Sequence, residues 1–254
     1  AVIQFKLESQ LYMQNPDWNM QGRCLLEKMD FEKGTIEYDG KIYPIEDRYF
    51  PTIDKENPYC LNEEEQEIMD SLVRSFRTSE RLQRHMQCLL ANGGMYTVCN
   101  SNLLFHASMP LNEDGTLREV EIQGERYKGK ELMQRIEQII RLAYEEGAED
   151  DERAYARDFF WYLWCGPDSP LFDKSKMTTF ERYFINNKEV HVEEKGWYFK
   201  LRDREDVCER LLDDFEVDGK HRHIINGHVP VKVGKGENPI KAGGRLMVID
   251  GGFA

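Results

Sequence analysis

Hydrophobic and polar positions along the chain follow two different periods, which predict both helices and strands. In residues 1–14 the apolar residues at positions 2, 3, 7 and 11 have helical spacing. Four other stretches have a similar helical pattern: 61–94, 130–146, 151–165 and 203–217. Period-two or short apolar runs predict strands at 34–45, 95–111, 118–129 and 223–227. This mixture of helices and strands predicts an α+β or mixed α/β fold.

Local turn and cap residues support several of these elements. Asp39 and Gly40 separate two alternating runs, which is the strongest short-range signal for a β-hairpin. Asn62 with Glu65 three positions later has the spacing of a helix capping box. Gly93 is placed to end the helical stretch that this cap begins.

The composition and net charge of the chain restrict which kinds of molecule it can bind. The 254 residues are 40% hydrophobic and 32% charged, and the formal net charge is −13. An acidic chain of this kind is unsuited to nucleic acid or to an anionic membrane surface, and no apolar run reaches the length of a membrane span. Six scattered cysteines without a C-x-x-C pair are typical of a reduced, cytoplasmic protein.

Two of the six histidines occupy the same kind of position. His106 in LLFHAS and His228 in IINGHV each follow a strand-like apolar run and precede small or turn residues. Open α/β sheets collect ligands at the carboxyl ends of their strands, and imidazole is a common ligand for Mn, Fe and Zn. The pair therefore predicts a shared metal site, with glycine before His228 clearing space. Either histidine alone would more simply be a hydrogen-bonded residue at a sheet edge.

A basic segment follows the second histidine. One acid, Glu237, lies among its four bases, which are Lys232, Lys235, Lys241 and Arg245. Beside a metal-binding histidine these bases would suit a phosphorylated substrate. The glycines between them are equally typical of an exposed flexible loop, so both interpretations stay open.

Several long motifs together resemble one known family. LLFHASMPL, WYLWCGPDSPLF, TTFERYF and above all HIINGHVPVKVGKGENPIKAGGRLMVIDGGF are similar to class III fructose-1,6-bisphosphatase, and the resemblance extends over essentially the whole chain. The family belongs to the calcineurin-like metallophosphoesterases. The resemblance implies part of a two-sheet β-sandwich with flanking helices and a helical insertion. It also implies hydrolysis of the 1-phosphate of fructose 1,6-bisphosphate in gluconeogenesis, with a dinuclear manganese site.

The resemblance also assigns residues. His106 matches the strand-end metal ligand of calcineurin-like enzymes and His228 matches a later Gly-His ligand. Ala107 and Ser108 stand where related phosphatases often carry two glycines. Lys232, Lys235, Lys241 and Arg245 would bind the substrate. A small sugar phosphate would be the partner, without nucleic acid or membrane, and oligomerisation is left open.

The remaining metal motifs of the family, G-D-x-H-G, G-D-x-x-D-R-G and G-N-H-[DE], do not occur in the chain. We therefore expect the chain to be the later part of the enzyme, inactive alone, with its general acid and bridging carboxylate elsewhere. The predicted domains are a helical and hairpin cap, 1–95, and a phosphatase core, 96–254, with a helical insertion at about 128–200. Two alternatives remain: a non-catalytic regulatory or interaction module derived from a phosphatase, and a calcineurin-like phosphatase with another phosphoester substrate.

Overall fold

A computed structural model describes residues 2–47, 49–145, 147 and 150–250. The eight α-helices of the described residues are α1 Val2–Gln14, α2 Glu63–Thr78, α3 Glu80–Asn92, α4 Gly129–Tyr144, α5 Asp151–Cys165, α6 Thr179–Phe184, α7 Trp197–Leu201 and α8 Glu205–Asp214. The ten strands are β1 Met29–Asp30, β2 Thr35–Tyr38, β3 Lys41–Pro44, β4 Tyr96–Cys99, β5 Asn102–Phe105, β6 Val120–Ile122, β7 Glu125–Tyr127, β8 His223–Asn226, β9 Ile240–Lys241 and β10 Leu246–Val248. They belong to two compact units, 1–92 with 177–193 and 93–176 with 194–254.

The second unit is organised by a five-stranded sheet of order β4-β5-β8-β10-β9. Its three central strands are parallel, and β4 and β9 run antiparallel to them at the two edges. Leu103, Ile224 and Leu246 stand in register across the central strands, and all three are fully buried. The apolar runs of β5 and β8 are therefore explained by burial at the centre of a sheet.

Helices of the second unit bury the apolar faces that the sequence predicts. Helix α4 buries Leu132, Met133, Ile136 and Ile139, and it packs on α5 and α8. Helix α8 buries Leu211 and its neighbours and contacts β8. Helix α5 ends at Cys165, where the Gly-Pro pair predicts the break. The same unit holds the separate hairpin β6-β7.

The first unit contains a three-stranded antiparallel sheet, β1-β2-β3, and an aromatic cluster. The β2-β3 turn has positive φ at Asp39 (49°) and Gly40 (73°), as a type I′ hairpin requires. Phe5 meets Phe180 and Phe184 edge-to-face at ring-centroid distances of 5.0 and 5.9 Å. Such pairs stabilise a core beyond the area that they bury.

Helix α1 lies where the pattern predicts, but it buries a different face. Its buried side chains are Phe5, Lys6, Ser9 and Tyr12, while the apolar positions used for the prediction are half-buried. Lys6 can be buried because its ammonium donates to Glu65 at 2.7 Å and to the Thr52 carbonyl at 2.6 Å. A hydrophobic period cannot detect an ion pair formed between distant parts of the chain.

The α+β prediction is confirmed. The described residues supply one five-stranded sheet and two smaller ones, and the two-sheet sandwich implied by the resemblance stays a prediction. The structural units differ from the predicted domains in two respects. Residues 93–95 lie in the second unit, and residues 177–193 lie in the first unit and not in a helical insertion of the second. None of the helices within the described residues has the length and hydropathy needed to cross a membrane.

Candidate metal and phosphate site

The carboxyl ends of the three parallel strands bring three polar residues to one edge of the sheet. His106 follows β5, His228 lies two residues after β8, and Asp250 lies two residues after β10. The strand ends are held together by backbone hydrogen bonds, from Gly227 N–H to the His106 carbonyl at 2.9 Å and from Ile249 N–H to the Asn226 carbonyl at 2.8 Å. Parallel pairing thus explains how residues far apart in sequence meet.

His106 and His228 face each other directly. The Nε2 atom of His106 is 3.1 Å from the Nδ1 atom of His228, and the ring centroids are 5.0 Å apart at an interplanar angle of 69°. The prediction that both imidazoles point into one place is confirmed. Two neutral rings share such a contact only when one nitrogen carries a proton and the other accepts it.

The backbone conformation at this site corrects one expectation. His228 itself adopts a left-handed conformation, with φ of 68°. Gly227 does not, and a Cβ built on it would lie 3.5 Å from the Asp250 Cβ and 3.7 Å from the His106 carbonyl oxygen, which are ordinary contacts. Glycine is therefore not needed to clear space before His228. The unusual backbone belongs to the histidine, a residue type that tolerates this region better than most.

Asn226, the last residue of β8, holds the backbone next to His106 in place through its side-chain amide. Its Nδ2 atom donates to the Ala107 carbonyl at 2.7 Å and to the Tyr198 hydroxyl at 2.9 Å. Asn226 and Tyr198 are both buried. Ala107 and Ser108, the residues in place of the glycines, are also buried, and Ser108 N–H donates to the Pro170 carbonyl at 3.0 Å. Sequence reasoning missed Asn226, because an amide at a strand end has no local signature.

Burial and neighbouring charges shift the pKa of His228. Burial lowers its pKa, and the adjacent His106 and Lys174 lower it further, while Asp250 acts in the opposite direction. The neutral imidazole is thereby favoured, and it is the form that binds metal ions. Lys174 and Asp250 were not predicted from sequence; their proximity to His228 follows from strand pairing and loop packing.

The histidine pair would suit a metal ion, because imidazole is a common ligand for Mn, Fe and Zn. The facing nitrogens of His106 and His228, 3.1 Å apart, would be the atoms that hold it. Across the described part of the chain, no group of three or more His, Cys, Asp or Glu side chains is arranged to hold a metal ion. The pair is therefore a candidate for two ligands, and its metal role stays a prediction.

The four predicted substrate-binding bases fall into two groups. Lys232 and Lys235 are exposed in and beside a 3-10 turn. Arg245 is paired with Glu209 at 2.5 Å, and Lys241 lies 3.9 Å from Asp203. Arg245 thus braces β10 against α8, while Lys232 and Lys235 are the two exposed members of the set. The substrate role of all four stays a prediction.

His191 contacts backbone carbonyls in the first unit. Its Nε2 atom lies 2.8 Å from the Ile185 carbonyl and 3.1 Å from the Glu181 carbonyl. The Glu181 carbonyl also accepts the Ile185 N–H at 2.9 Å, whereas Ile185 directly follows α6, so the ring contacts the backbone at the carboxyl end of this short helix.

A pair of strand-end imidazoles beside positive charge defines a candidate metal-dependent phosphate site on an α+β scaffold. The chain belongs to the Firmicute fructose-1,6-bisphosphatase family, whose profile matches residues 1–254. It is 56% identical over 254 residues to the fructose-1,6-bisphosphatase class 3 of Bacteroides fragilis and 53% identical over 254 residues to that of Parabacteroides distasonis. The protein of the same name from Clostridium botulinum is 50% identical over 253 residues.

Each of these alignments covers 100% of the chain and 38% of the relative's length. The chain therefore spans well under half the length of the curated relatives that it matches. No solved structure matches the chain. Sequence comparison thus establishes the family, while no solved structure serves as a reference for the fold.

Proposed function

We propose that this chain supplies part of the active site of a cytoplasmic, manganese-dependent fructose-1,6-bisphosphatase of gluconeogenesis. The observation that carries the proposal is the 3.1 Å approach of His106 to His228 at the ends of two parallel strands, in a chain that belongs to the fructose-1,6-bisphosphatase family. The relatives' names supply the substrate, fructose 1,6-bisphosphate.

The chain's own residues would act by binding and positioning. His106 and His228 would hold a metal ion through the two facing nitrogens, and Asn226 would keep both strand ends in place through Ala107 and Tyr198. A divalent metal, when bound, supplies Lewis-acid stabilisation of phosphoryl oxygens. Lys174, close enough to His228 to lower its pKa, adds positive charge for a substrate that carries two phosphates.

The test is the release of phosphate from fructose 1,6-bisphosphate by the full product of the gene that encodes this chain, with and without manganese. We expect His106→Ala and His228→Ala each to lower turnover by more than about a hundredfold, since losing a group that only orients a ligand already costs about 10–100-fold. Manganese bound per chain, measured by electron paramagnetic resonance, should fall in parallel.

His221→Ala is the matched control, because His221 is exposed and lies in the turn before β8. It should leave turnover and manganese binding within a few-fold of the unmodified protein. Full activity in either of the other two variants would exclude the ligand assignment. A gene product that does not hydrolyse the bisphosphate would favour an interaction module, and preference for another phosphoester would favour a different phosphatase.

A further inference from the structure

Four cationic side chains from separate segments of the second unit converge near the histidine pair. We call Lys174, Lys195, Arg202 and Lys232 the basic cluster. Lys174 and Lys195 are directly opposed in an isolated antiparallel bridge. Directly opposed residues have Cβ atoms about 5 Å apart, and like charges in that relation are destabilising. An anion bound beside both ammonium groups would offset this repulsion.

Arg202 joins the cluster through a shared aromatic ring. The Lys195 Nζ atom lies 5.9 Å and the Arg202 Cζ atom 5.6 Å from the centroid of the Phe199 ring. The Nη1 atom of Arg202 is buried and has no hydrogen-bond partner in the part of the chain that the structure describes. A buried guanidinium donor without an acceptor is costly, and an anionic ligand would satisfy it.

Lys232 completes the cluster beside Lys195. Partial burial lowers the pKa of Lys195, and the positive charges of Arg202, Lys174 and Lys232 lower it further. Glu237 is the nearby acid; its carboxylate accepts the Lys232 backbone N–H at 2.9 Å and only partly offsets these charges at Lys195. At Lys195, three neighbouring cations therefore act against one carboxylate, that of Glu237.

The cluster is connected to the histidine pair by short, ordered segments. Gly196 N–H donates to the Asp173 carbonyl at 2.8 Å, which fixes Lys195 beside Lys174. The segment that ends in Asp173 and Lys174 is bound to the strand end after His106 by the hydrogen bond between Ser108 and Pro170. On the other side, Val231 N–H donates to the Asp250 carbonyl at 2.7 Å, which places Lys232 close to the end of β10.

We propose that the basic cluster binds a phosphate monoester dianion, and that in the substrate this is the phosphate that is not hydrolysed. The identity of that phosphate rests on the function proposed above, whereas anion binding by the cluster does not. The guanidinium of Arg202 offers paired donors of the geometry that phosphate oxygens accept, and the three ammonium groups neutralise its charge. Lys174 is the member of the cluster whose charge also acts on His228, so it connects the two parts of one substrate site.

The first experiment measures binding of inorganic phosphate to the 254-residue chain by isothermal titration calorimetry at low ionic strength. We expect Lys195→Gln and Arg202→Met each to weaken binding about tenfold, the effect of losing one hydrogen bond to a charged group. The control is Lys200→Gln: Lys200 lies on α7, between Lys195 and Arg202 in sequence, but its Nζ atom lies over Trp197 at 4.3 Å. It should not change phosphate affinity.

Circular dichroism and thermal unfolding of each variant verify the fold. Should Arg202→Met unfold the chain, Lys195→Gln and Lys174→Gln decide the outcome, because Lys195 is exposed and Lys174 is half-exposed. Phosphate that does not bind the unmodified chain, or that binds the cluster variants as well as the control, would overturn the proposal.

The second experiment separates this proposal from the function proposed above. In the full gene product, Lys195→Gln should raise KM for fructose 1,6-bisphosphate about tenfold with kcat little changed, and it should leave KM for p-nitrophenyl phosphate unaltered. Equal effects on both substrates would show that the cluster does not hold a second phosphate. A gene product that binds phosphate through the cluster but hydrolyses neither compound would remove the phosphatase function and leave the anion site standing.

Discussion

Two buried carboxylates respond to their surroundings in opposite ways. Glu181 is fully buried, and burial raises its pKa, but two hydrogen bonds from Arg23 (2.5 and 3.0 Å) and one from the Tyr38 hydroxyl (2.6 Å) outweigh burial and lower it. Asp173 is also buried, and burial, with Asp168, raises its pKa to about 6 although Ser108 and Arg118 act against this. The pKa values shift in opposite directions because Glu181 has a charged guanidinium as its hydrogen-bond partner, whereas that of Asp173 is the neutral Ser108 hydroxyl.

Glu181→Gln should destabilise the chain strongly. The substitution leaves the Arg23 guanidinium largely buried without its counter-charge, and breaking a buried ion pair from one side costs about 3–5 kcal/mol. Tyr38→Phe is the matched control, because it removes one hydrogen bond to the same carboxylate and should cost about 1–3 kcal/mol. Urea unfolding of both variants measures the difference, and equal losses would show that the ion pair contributes little beyond one hydrogen bond.

Asp173→Asn should change how stability depends on pH. A carboxyl group whose pKa is raised on folding contributes stability that is fully present below its unfolded pKa and is lost as pH rises through the folded value. For Asp173 that window runs from about 4 to about 6. The free energy of unfolding of the variant, relative to the unmodified chain, should therefore increase by about 2–3 kcal/mol between pH 4 and 6.5 and then remain constant. A difference that does not vary with pH would contradict the raised pKa.

At the scale of elements, two amphipathic helices have different surroundings. Helix α2 has the predicted capping box, in which Asn62 and Glu65 exchange hydrogen bonds, and its apolar residues Ile68, Leu72 and Phe76 are nonetheless exposed. Helix α4 buries the corresponding stripe. An apolar period predicts the helix in both cases, whereas burial depends on what packs against it.

Matched substitutions in these helices should separate the two cases. Leu72→Glu should leave the unfolding temperature nearly unchanged, because the side chain is 48% exposed and both residues favour helix. Ile136→Ala in α4 should cost about 2–5 kcal/mol, because this residue is 1% exposed and its loss leaves a cavity. Thermal unfolding followed by circular dichroism compares them. A large loss with Leu72→Glu would mean that this face of α2 is covered in solution.

At the scale of the whole molecule, the second unit contains two candidate imidazole ligands and the basic cluster. Structural and catalytic metal sites in proteins commonly use three or more protein ligands. We expect the 254 residues alone to bind manganese weakly and to release no phosphate from fructose 1,6-bisphosphate above background. Purified chain and full gene product are to be assayed side by side with and without manganese. Substantial manganese-dependent turnover by the chain alone would show that other residues within it complete the site.

The local sequence by itself determined most of the elements. The hairpin at Asp39 and Gly40, the capping box at Asn62 and the strand before His106 all lie where the pattern predicts them. Turn conformation, capping and amphipathic period depend on residues within a few positions of each other, so sequence alone can specify them. The two strand-end histidines could be identified for the same reason, with the family resemblance added.

Tertiary structure alone decided which distant residues meet. The buried pair of Lys6 with Glu65, the brace of Asn226 on Ala107 and the convergence of Lys174, Lys195 and Arg202 each join segments that share no local pattern. It also separated the predicted bases, since Arg245 is bound to Glu209 while Lys232 lies with the basic cluster. Burial and Coulomb interactions depend on distance in space, and strand pairing sets that distance independently of separation along the chain.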